Sequence, residues 1–170
     1  MERYEGIGHL ERIQNTITIP NQRTFDVLAD PESRSQKTLL SEIACELENN
    51  PDNRCLIVRG DDPLGREAAR RVIRQLANRS ISAPNKIRAI ARKTSGELDR
   101  EVQNAARKAV RLLGIGSVHP DILSLVGRLK FRLSYSQNQL KHAVEVAYLA
   151  GIMAQELGLD ITLARRGGLL

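Results

Sequence analysis

The feature that most constrains the fold is a helical apolar repeat that runs unbroken from Pro84 to Gly114. Small and apolar residues recur at steps of three and four: Ile87, Ala91, Thr94, Leu98, Val102, Ala105, Ala109 and Leu112. That period places them on one face and predicts a single long helix over 84–113. Two more helices are predicted near 120–130 and 135–157, so the second half of the chain is expected to be all helical.

The first half has the mixed signals of a small α+β unit. The predicted elements are a strand at 16–20, a helix at 35–44, strands at 45–49 and 55–60, and a helix from Pro63 to about Asn78. A turn cluster, Asn-Pro-Asp-Asn, joins the second and third strands as a hairpin, so parallel winding is not expected. The predicted fold class is therefore α+β, a β-α-β-β-α unit followed by an all-α segment.

Composition indicates a soluble globular protein of the reducing cytosol. Hydrophobic residues make up 41% and charged residues 27%, which is ordinary for a folded domain. No apolar run approaches the ~18 residues that a membrane span needs, and the N-terminus does not resemble a signal peptide. Cys45 and Cys55 form no CxxC motif and are expected to be small packing residues rather than ligands. A cytoplasmic chain without membrane contact of its own is predicted.

Charge is divided unevenly along the chain. Residues 1–60 hold 7 Lys/Arg against 10 Asp/Glu, a net −3, whereas residues 61–170 hold 19 against 10, a net +9. Affinity for a polyanion depends on the cations that displace its counterions. Any attraction to RNA is therefore predicted to lie in the second part.

Two groups of cations are the candidate RNA contacts in that part. Arg66, Arg70 and Arg74 recur every fourth residue and are predicted to lie opposite the apolar face of their helix, while Arg92 and Lys93 belong to the basic surface of the long helix. Such side chains bind phosphates as forks and point charges. The competing interpretation is an ordinary solvated helix face. No aromatic ladder accompanies the cations, so base stacking is not indicated.

His142 is the candidate metal ligand. A catalytic divalent-metal site needs several imidazoles or carboxylates around an open position, and this sequence offers no second residue of comparable standing. On residue pattern alone, a lone helical histidine is more often structural. A small metal-dependent hydrolase complete within these residues is disfavoured by that ligand count.

The last third carries a specific set of motifs. They are HP (119–120), LVGR (125–128), KFR (130–132), SYSQN (134–138) and LKHAVEVAYLAG (140–151). Upstream, GDDPLGREAARRVIRQLA (60–77) and TITIPN (16–21) extend the set. Together these blocks resemble the ribonuclease Y family, in which a KH domain, an RNA-binding fold, precedes an HD-type phosphohydrolase domain.

The resemblance implies a domain organisation. It comprises a linker or the end of a coiled coil at 1–15, a KH-like domain at 16–82, a long connecting helix at 83–118 and the N-terminal part of an HD domain at 119–170. The last helix of that HD portion would normally pack against later helices of its domain. An exposed apolar face is therefore predicted around Val144, Ala147 and Leu157.

The resemblance also implies an activity. The family initiates RNA turnover by metal-dependent endonucleolytic cleavage, with a divalent Mg- or Mn-type ion, and His142 matches its first metal ligand. The next ligands in the family, a His-Asp doublet, follow a segment like the GGLL of 167–170, and this sequence does not contain the doublet. The chain is thus expected to be a fragment that binds no metal and cleaves no RNA by itself. The family is membrane-tethered on the cytoplasmic side and oligomeric, so RNA, a second copy or the remainder of the nuclease are the implied partners.

One departure from the family concerns RNA binding. A KH domain holds a single strand through a GxxG loop, whose backbone N–H groups approach the phosphates. The corresponding segment here, 28–34, has no glycine, and Asp30, Pro31 and Glu32 leave Arg34 as the one phosphate-compatible group. A weak or lost grip on RNA is predicted. The alternative function is a non-enzymatic module that binds RNA or protein through the basic helices of 62–113.

Overall fold

The computed structural model describes residues 15–134 and 137–170. The chain forms two compact units, one ending at Leu98 and the other beginning at Asp99. The predicted linker at 1–15 falls outside the described residues, apart from Asn15. Helices dominate and the strands are short and antiparallel, so the predicted α+β class is confirmed. In the described part of the chain, no helix combines the length and apolarity that a bilayer crossing requires.

Unit 1 contains a three-stranded sheet with helices in the order β-α-α-β-β-α. Its elements are β1 (Thr16–Thr18), α1 (Gln22–Ala29), α2 (Arg34–Glu42), β2 (Glu46–Asn50), β3 (Cys55–Arg59) and α3 (Pro63–Asn78). The strand order is β1-β3-β2, with both pairs antiparallel, and the β2–β3 pair is the predicted hairpin. The predicted order was wrong in one respect, because two helices rather than one connect β1 and β2.

Helix α1 was missed although its sequence carried a start signal. Asn21 is the N-cap, and its side-chain oxygen accepts the Thr24 backbone N–H at 2.9 Å. Phe25 and Leu28 then follow at helical spacing and are buried in the core. The helix has only eight residues, so its apolar period is too short to stand out.

The core of unit 1 is aliphatic apart from Phe25. Leu56 and Val58 on β3 share it with Val72, Ile73 and Leu76 on α3. A core of this kind gains about 25 cal/mol for each Å² of apolar surface removed from water. It holds the ends of α1, α2 and α3 in fixed positions.

A 30-residue helix, α4 (Pro84–Leu113), contains the boundary between the units. The rest of unit 2 comprises α5 (Pro120–Arg128), a 3₁₀ turn (Leu129–Phe131), β4 (Leu133–Ser134), β5 (Gln137–Asn138), α6 (Gln139–Glu156) and α7 (Ile161–Leu169). The helix expected from 135 begins at Gln139, because the two-residue strands form a small antiparallel hairpin before it. Positions 135 and 136 lie outside the described residues.

The buried stripe of α4 follows the prediction until its last turns. Thr94, Leu98 and Val102 are buried as expected. Beyond them Ala109 is also buried as predicted, but Leu112 is 62% exposed, whereas its neighbour Leu113 is fully buried. Ala106 is likewise buried in place of the half-buried Ala105. A buried residue can be followed by the next one either three or four positions later. Spacing alone does not decide which of the two is buried.

Three helices end with the same backbone motif. After α4 and α6, Gly114 and Gly158 adopt φ of 64° and 67°, and the next residue donates to a carbonyl five positions back, Ile115 to Val110 at 3.4 Å and Leu159 to Ala154 at 2.8 Å. After α3 the same position is Ser80, with φ 49°. The next residue, Ile81, completes the motif by donating its backbone N–H to Leu76 O at 2.9 Å.

We predict that Ser80→Gly stabilises the protein. Glycine removes the Cβ strain of the left-handed conformation, about 1–2 kcal/mol, and loses part of that gain to the greater freedom of the unfolded chain. The expected net change is an increase of about 0.5–1 kcal/mol in the free energy of unfolding, measured by urea denaturation.

The matched control is Ser95→Gly, the same chemical change at an exposed position inside α4. Glycine there should lower stability by about 0.5 kcal/mol, because a helix interior disfavours it. Equal effects of the two substitutions would contradict the assignment of strain to Ser80.

Candidate functional site

The candidate metal ligand, His142, lies on the first helix of the hairpin that α6 and α7 form. Asn138 caps α6 by accepting the Lys141 backbone N–H at 3.2 Å, and Asp160 caps α7 by accepting the Leu163 N–H at 3.0 Å. His142 therefore lies in the first turn and a half of α6. The Gly158 turn between the two helices makes them neighbours in the chain.

The two helices of the hairpin approach closely through small residues. A Cβ placed on Gly168 would lie 2.6 Å from Ala147 Cα, and one placed on Gly151 would lie 2.5 Å from Arg165 Nε. Ala147 and Gly151 step forward along α6 while Gly168 and Arg165 step backward along α7. The pairing is therefore antiparallel, and the C-terminal end of α7 lies beside the first half of α6.

Arg165 fixes the hairpin to its surroundings. Its Nη1 donates to Leu113 O at 3.2 Å, at the end of α4. Its guanidinium carbon lies 5.5 Å from the centre of the Tyr148 ring on α6, a cation–π distance. One side chain thus links α7 both to α6 and to the last turn of α4.

The large apolar side chains of α6 lie on its exposed surface, and its buried positions are small. The buried positions are small: Ala147, Gly151 and Ala154. The exposed positions are large: Val146, Tyr148, Leu149, Ile152, Met153 and Leu157. Part of the predicted exposed face was wrong, because Ala147 is fully buried against α7 and Val144 is half-buried. Leu157, at 69% exposure, confirms the rest of that prediction.

His142 is solvent-exposed on α6. Within residues 15–134 and 137–170, no three His, Cys, Asp or Glu side chains converge in a way that could hold a metal ion. The described residues therefore do not by themselves fit the divalent metal of the family. His119, the other histidine in the described part of the chain, caps α5, with its Nδ1 accepting the Asp121 N–H at 3.3 Å.

The segment predicted to replace the KH loop, residues 28–34, forms hydrogen bonds within itself. It connects α1 to α2, and Asp30 accepts two of its N–H groups, from Glu32 through Oδ1 at 2.9 Å and from Ser33 through the backbone carbonyl at 3.0 Å. Ser33 caps α2 by accepting the Gln36 N–H at 3.0 Å. Pro31 has no N–H to offer. The loop therefore presents few free donors to a phosphate, and Arg34 is an exposed cation at the start of α2.

Several of the predicted RNA-contacting cations already have partners. Arg66 Nη1 donates to Gly60 O, and Lys93 lies 3.8 Å from Glu97 Oε1. Arg70 pairs with Glu67 at 3.2 Å, and only 20% of its side chain is exposed. Burial lowers the pKa of this guanidinium from its ordinary value. The prediction that the Arg66, Arg70 and Arg74 stripe lies opposite the apolar face was therefore wrong for Arg70.

Among the predicted cations of α3 and α4, Arg74 and Arg92 are exposed and form no ion pair with another described residue. They keep the charge of a free cation, which is what phosphate contact needs. The arrangement leaves the α3 and α4 surface with fewer available cations than the sequence suggested.

Comparison with known proteins finds ribonuclease Y repeatedly. The chain is 39% identical over 156 residues to "Ribonuclease Y" of Fervidobacterium nodosum, a match that covers 92% of this chain. It is 36% identical over 169 residues to that of Acholeplasma laidlawii, with 99% covered, and 37% identical over 162 residues to that of Thermoanaerobacter pseudethanolicus, with 94% covered. This chain is a relative of ribonuclease Y.

The chain matches only part of each ribonuclease Y relative. The chain spans about a third of the length of these relatives, 30–32% of each. No family profile and no solved structure matches the chain. The name of these relatives identifies them as ribonucleases.

Sequence reasoning missed α7 and the residues that dock it. The Gly-Gly pair at 167–168 disfavours a helix by about 1 kcal/mol for each glycine. Packing requires glycine at 168, because a larger side chain there would collide with the backbone of Ala147. Asp160 was an available N-cap signal for this helix.

We predict that Gly168→Ala destabilises unit 2, whereas Gly167→Ala does not. A methyl group at 168 would overlap the α6 backbone, which costs about 1–3 kcal/mol through forced displacement. At 167 nothing lies within 4 Å of the added carbon, so alanine should be neutral or stabilise the helix by up to about 1 kcal/mol.

Thermal unfolding and amide exchange in α6 would measure both variants. Equal stability of the two would contradict the close antiparallel approach of α6 and α7.

Proposed function

We propose that this chain is the part of a ribonuclease Y-type, metal-dependent endoribonuclease that supplies the first metal ligand, His142, and a KH-like unit. The observation that carries the proposal is the antiparallel register of α6 and α7. Gly168 lies beside Ala147, and each further residue of α7 advances towards the start of α6. The segment GGLL at 167–170 therefore leads towards the level of His142.

This register accounts for the motif order of the family. A His-Asp doublet directly after a GGLL-like segment would come within about one helical turn, ~5.4 Å of rise, of the level of His142. Histidine and carboxylate ligands from the two helices would then share one metal. The described residues contribute His142 to that arrangement and do not complete it.

The outward apolar face of α6 supports a larger helical domain in the working enzyme. Large residues such as Leu149 and Met153 are exposed, while small ones face α7. Contiguous apolar patches of this kind mark surfaces that pack against other elements. We infer that further helices of the nuclease cover this face, in keeping with the much greater length of the relatives.

We assign a scaffolding role to the KH-like unit. Its helix–helix connection carries Asp30 and Glu32 and satisfies its own N–H groups. Negative charge at that position opposes phosphate, so Arg34 alone would give at most weak contact with RNA.

A non-enzymatic module that binds through helices 62–113 is the second candidate function. Exposed Arg74 and Arg92 favour it, and the engagement of Arg66, Arg70 and Lys93 in other contacts weighs against it. This candidate differs from the first in predicting that RNA affinity depends on Arg74 and Arg92.

Cleavage assays on the isolated chain form the first half of the test. One imidazole cannot hold a catalytic metal, so the 170-residue protein should show no Mn²⁺-dependent RNA cleavage above that of its His142→Ala variant. Metal-dependent cleavage that disappears with His142→Ala would show that the isolated chain is itself a complete enzyme.

A graft forms the second half. Residues 119–170 would replace the matching segment of the Fervidobacterium nodosum ribonuclease Y. The graft should cleave RNA in the presence of Mn²⁺, and His142→Ala should lower the rate by about a hundredfold or more, since it removes a ligand of the catalytic ion.

His119→Ala is the matched control within the graft, because it removes an exposed imidazole that caps α5 and has no proposed part in metal binding. Its rate should be unchanged. Equal activity of the His142→Ala and His119→Ala grafts would overturn the metal role of His142.

A further inference from the structure

A groove within unit 2 lies between the second half of α4 and the first half of α6. It encloses about 700 Å³, within the range of ~300–1,000 Å³ that is usual for ligand sites. Ala105 and Leu112 line it from α4, and Leu140 and Val144 line it from α6. Leu112 is the large apolar residue that the sequence placed in the core, and it is exposed here instead.

Two lysines line the groove from facing helices. Lys108 belongs to α4 and Lys141 to α6; both are exposed, and neither forms an ion pair with another described residue. A third, Lys130, is held by Glu101 at 2.9 Å, so these two charges largely offset one another. Glu145 remains as the second carboxylate of the lining. Three lysines against two glutamates give the lining a net charge of +1, and Lys108 and Lys141 place a cation on each side of its apolar residues.

We propose that this groove binds single-stranded RNA, with Lys108 and Lys141 on the phosphates and the apolar lining, including Leu112, against the bases. The inference rests on the proposed function and adds to it a path for the substrate. A single strand offers both an anionic backbone and apolar base faces. Lys141 immediately precedes His142 on α6, so a strand in the groove would run beside the candidate metal ligand.

The chemistry of the groove sets its affinity and selectivity. No aromatic residue is among the described residues that line it, so bases make apolar contacts without stacking. Binding should be tolerant of sequence and comparable with nonspecific nucleic-acid affinities, a Kd of about 10⁻⁴ to 10⁻⁶ M at physiological salt.

Fluorescence polarisation with a labelled ten-nucleotide oligouridylate and the full chain tests the proposal. Lys108→Gln/Lys141→Gln should weaken binding about tenfold at low salt. The slope of log K against log salt should fall by about 1.4, because each phosphate contact to a single strand contributes about 0.7. Leu112→Ser should weaken binding about threefold or more and leave that slope unchanged, since it alters only the apolar lining.

Arg23→Gln/Arg79→Gln is the matched control, because it removes the same charge from exposed positions outside the groove. It should leave affinity within about twofold. Arg74→Gln/Arg92→Gln tests the competing surface of α3 and α4. A greater loss from Arg74→Gln/Arg92→Gln than from Lys108→Gln/Lys141→Gln would overturn the groove and favour that surface.

Two other outcomes separate the groove from the proposed function. Normal RNA binding by Lys108→Gln/Lys141→Gln would reject the groove while leaving RNA binding by the chain intact. Cleavage by the graft together with no RNA binding by the isolated chain would likewise reject the groove and leave the metal role of His142 standing. Equal displacement of the RNA by an oligoglutamate of matched charge would show a general polyanion or protein site and contradict the assignment to RNA.

Discussion

The close approach of α6 and α7 is the contact on which the second unit depends. Gly168 has no side chain and lies against Ala147, so the two helix backbones pack at a distance that any larger residue would increase. This proximity lets Arg165 reach both Leu113 O and the Tyr148 ring. It also explains the apolar pattern of α6, because small residues occupy the inner face and large ones are left outside.

That packing connects the fold to the chemistry of the ribonuclease Y relatives. An antiparallel hairpin returns the end of α7 towards the first half of α6, where His142 lies. The described residues provide one imidazole at that point, and the relatives are about three times as long as this chain. Catalysis is thus proposed for an assembly in which other residues complete the metal site and cover the outer face of α6. Because the connection between α1 and α2 satisfies its own N–H groups, we propose a supporting rather than an RNA-binding role for the first unit.

Local signals predicted much of this architecture. Pro63 marked the start of α3, the repeat from Ile87 marked α4, and Gly114 marked the end of that helix. These succeed because capping and left-handed turns depend on residues close in sequence. The order of strands in the sheet followed partly from the hairpin, whereas the position of β1 beside β3 depends on tertiary packing.

The failures have equally local causes. Helix α1 is too short for its apolar period to be recognised. Helix α7 was not predicted because Gly167 and Gly168 disfavour a helix in isolation, and its stability comes from its contact with α6. The choice between Leu112 and Leu113 as the buried residue could not be made from spacing, because both satisfy a step of three or four. Likewise the partners of Arg66 and Arg70, a carbonyl and a carboxylate, were invisible in a pattern of charges. The exposure of Leu112 beside Lys108 and Lys141 appears only in three dimensions.

The central claim is that His142 is a metal ligand brought into place by the α6–α7 hairpin. Its most direct test is calorimetric titration of Mn²⁺ into the graft of residues 119–170, with His142 intact and with His142→Ala. We expect stoichiometric Mn²⁺ binding that is lost when the imidazole is removed. Undiminished binding by the His142→Ala graft would contradict it.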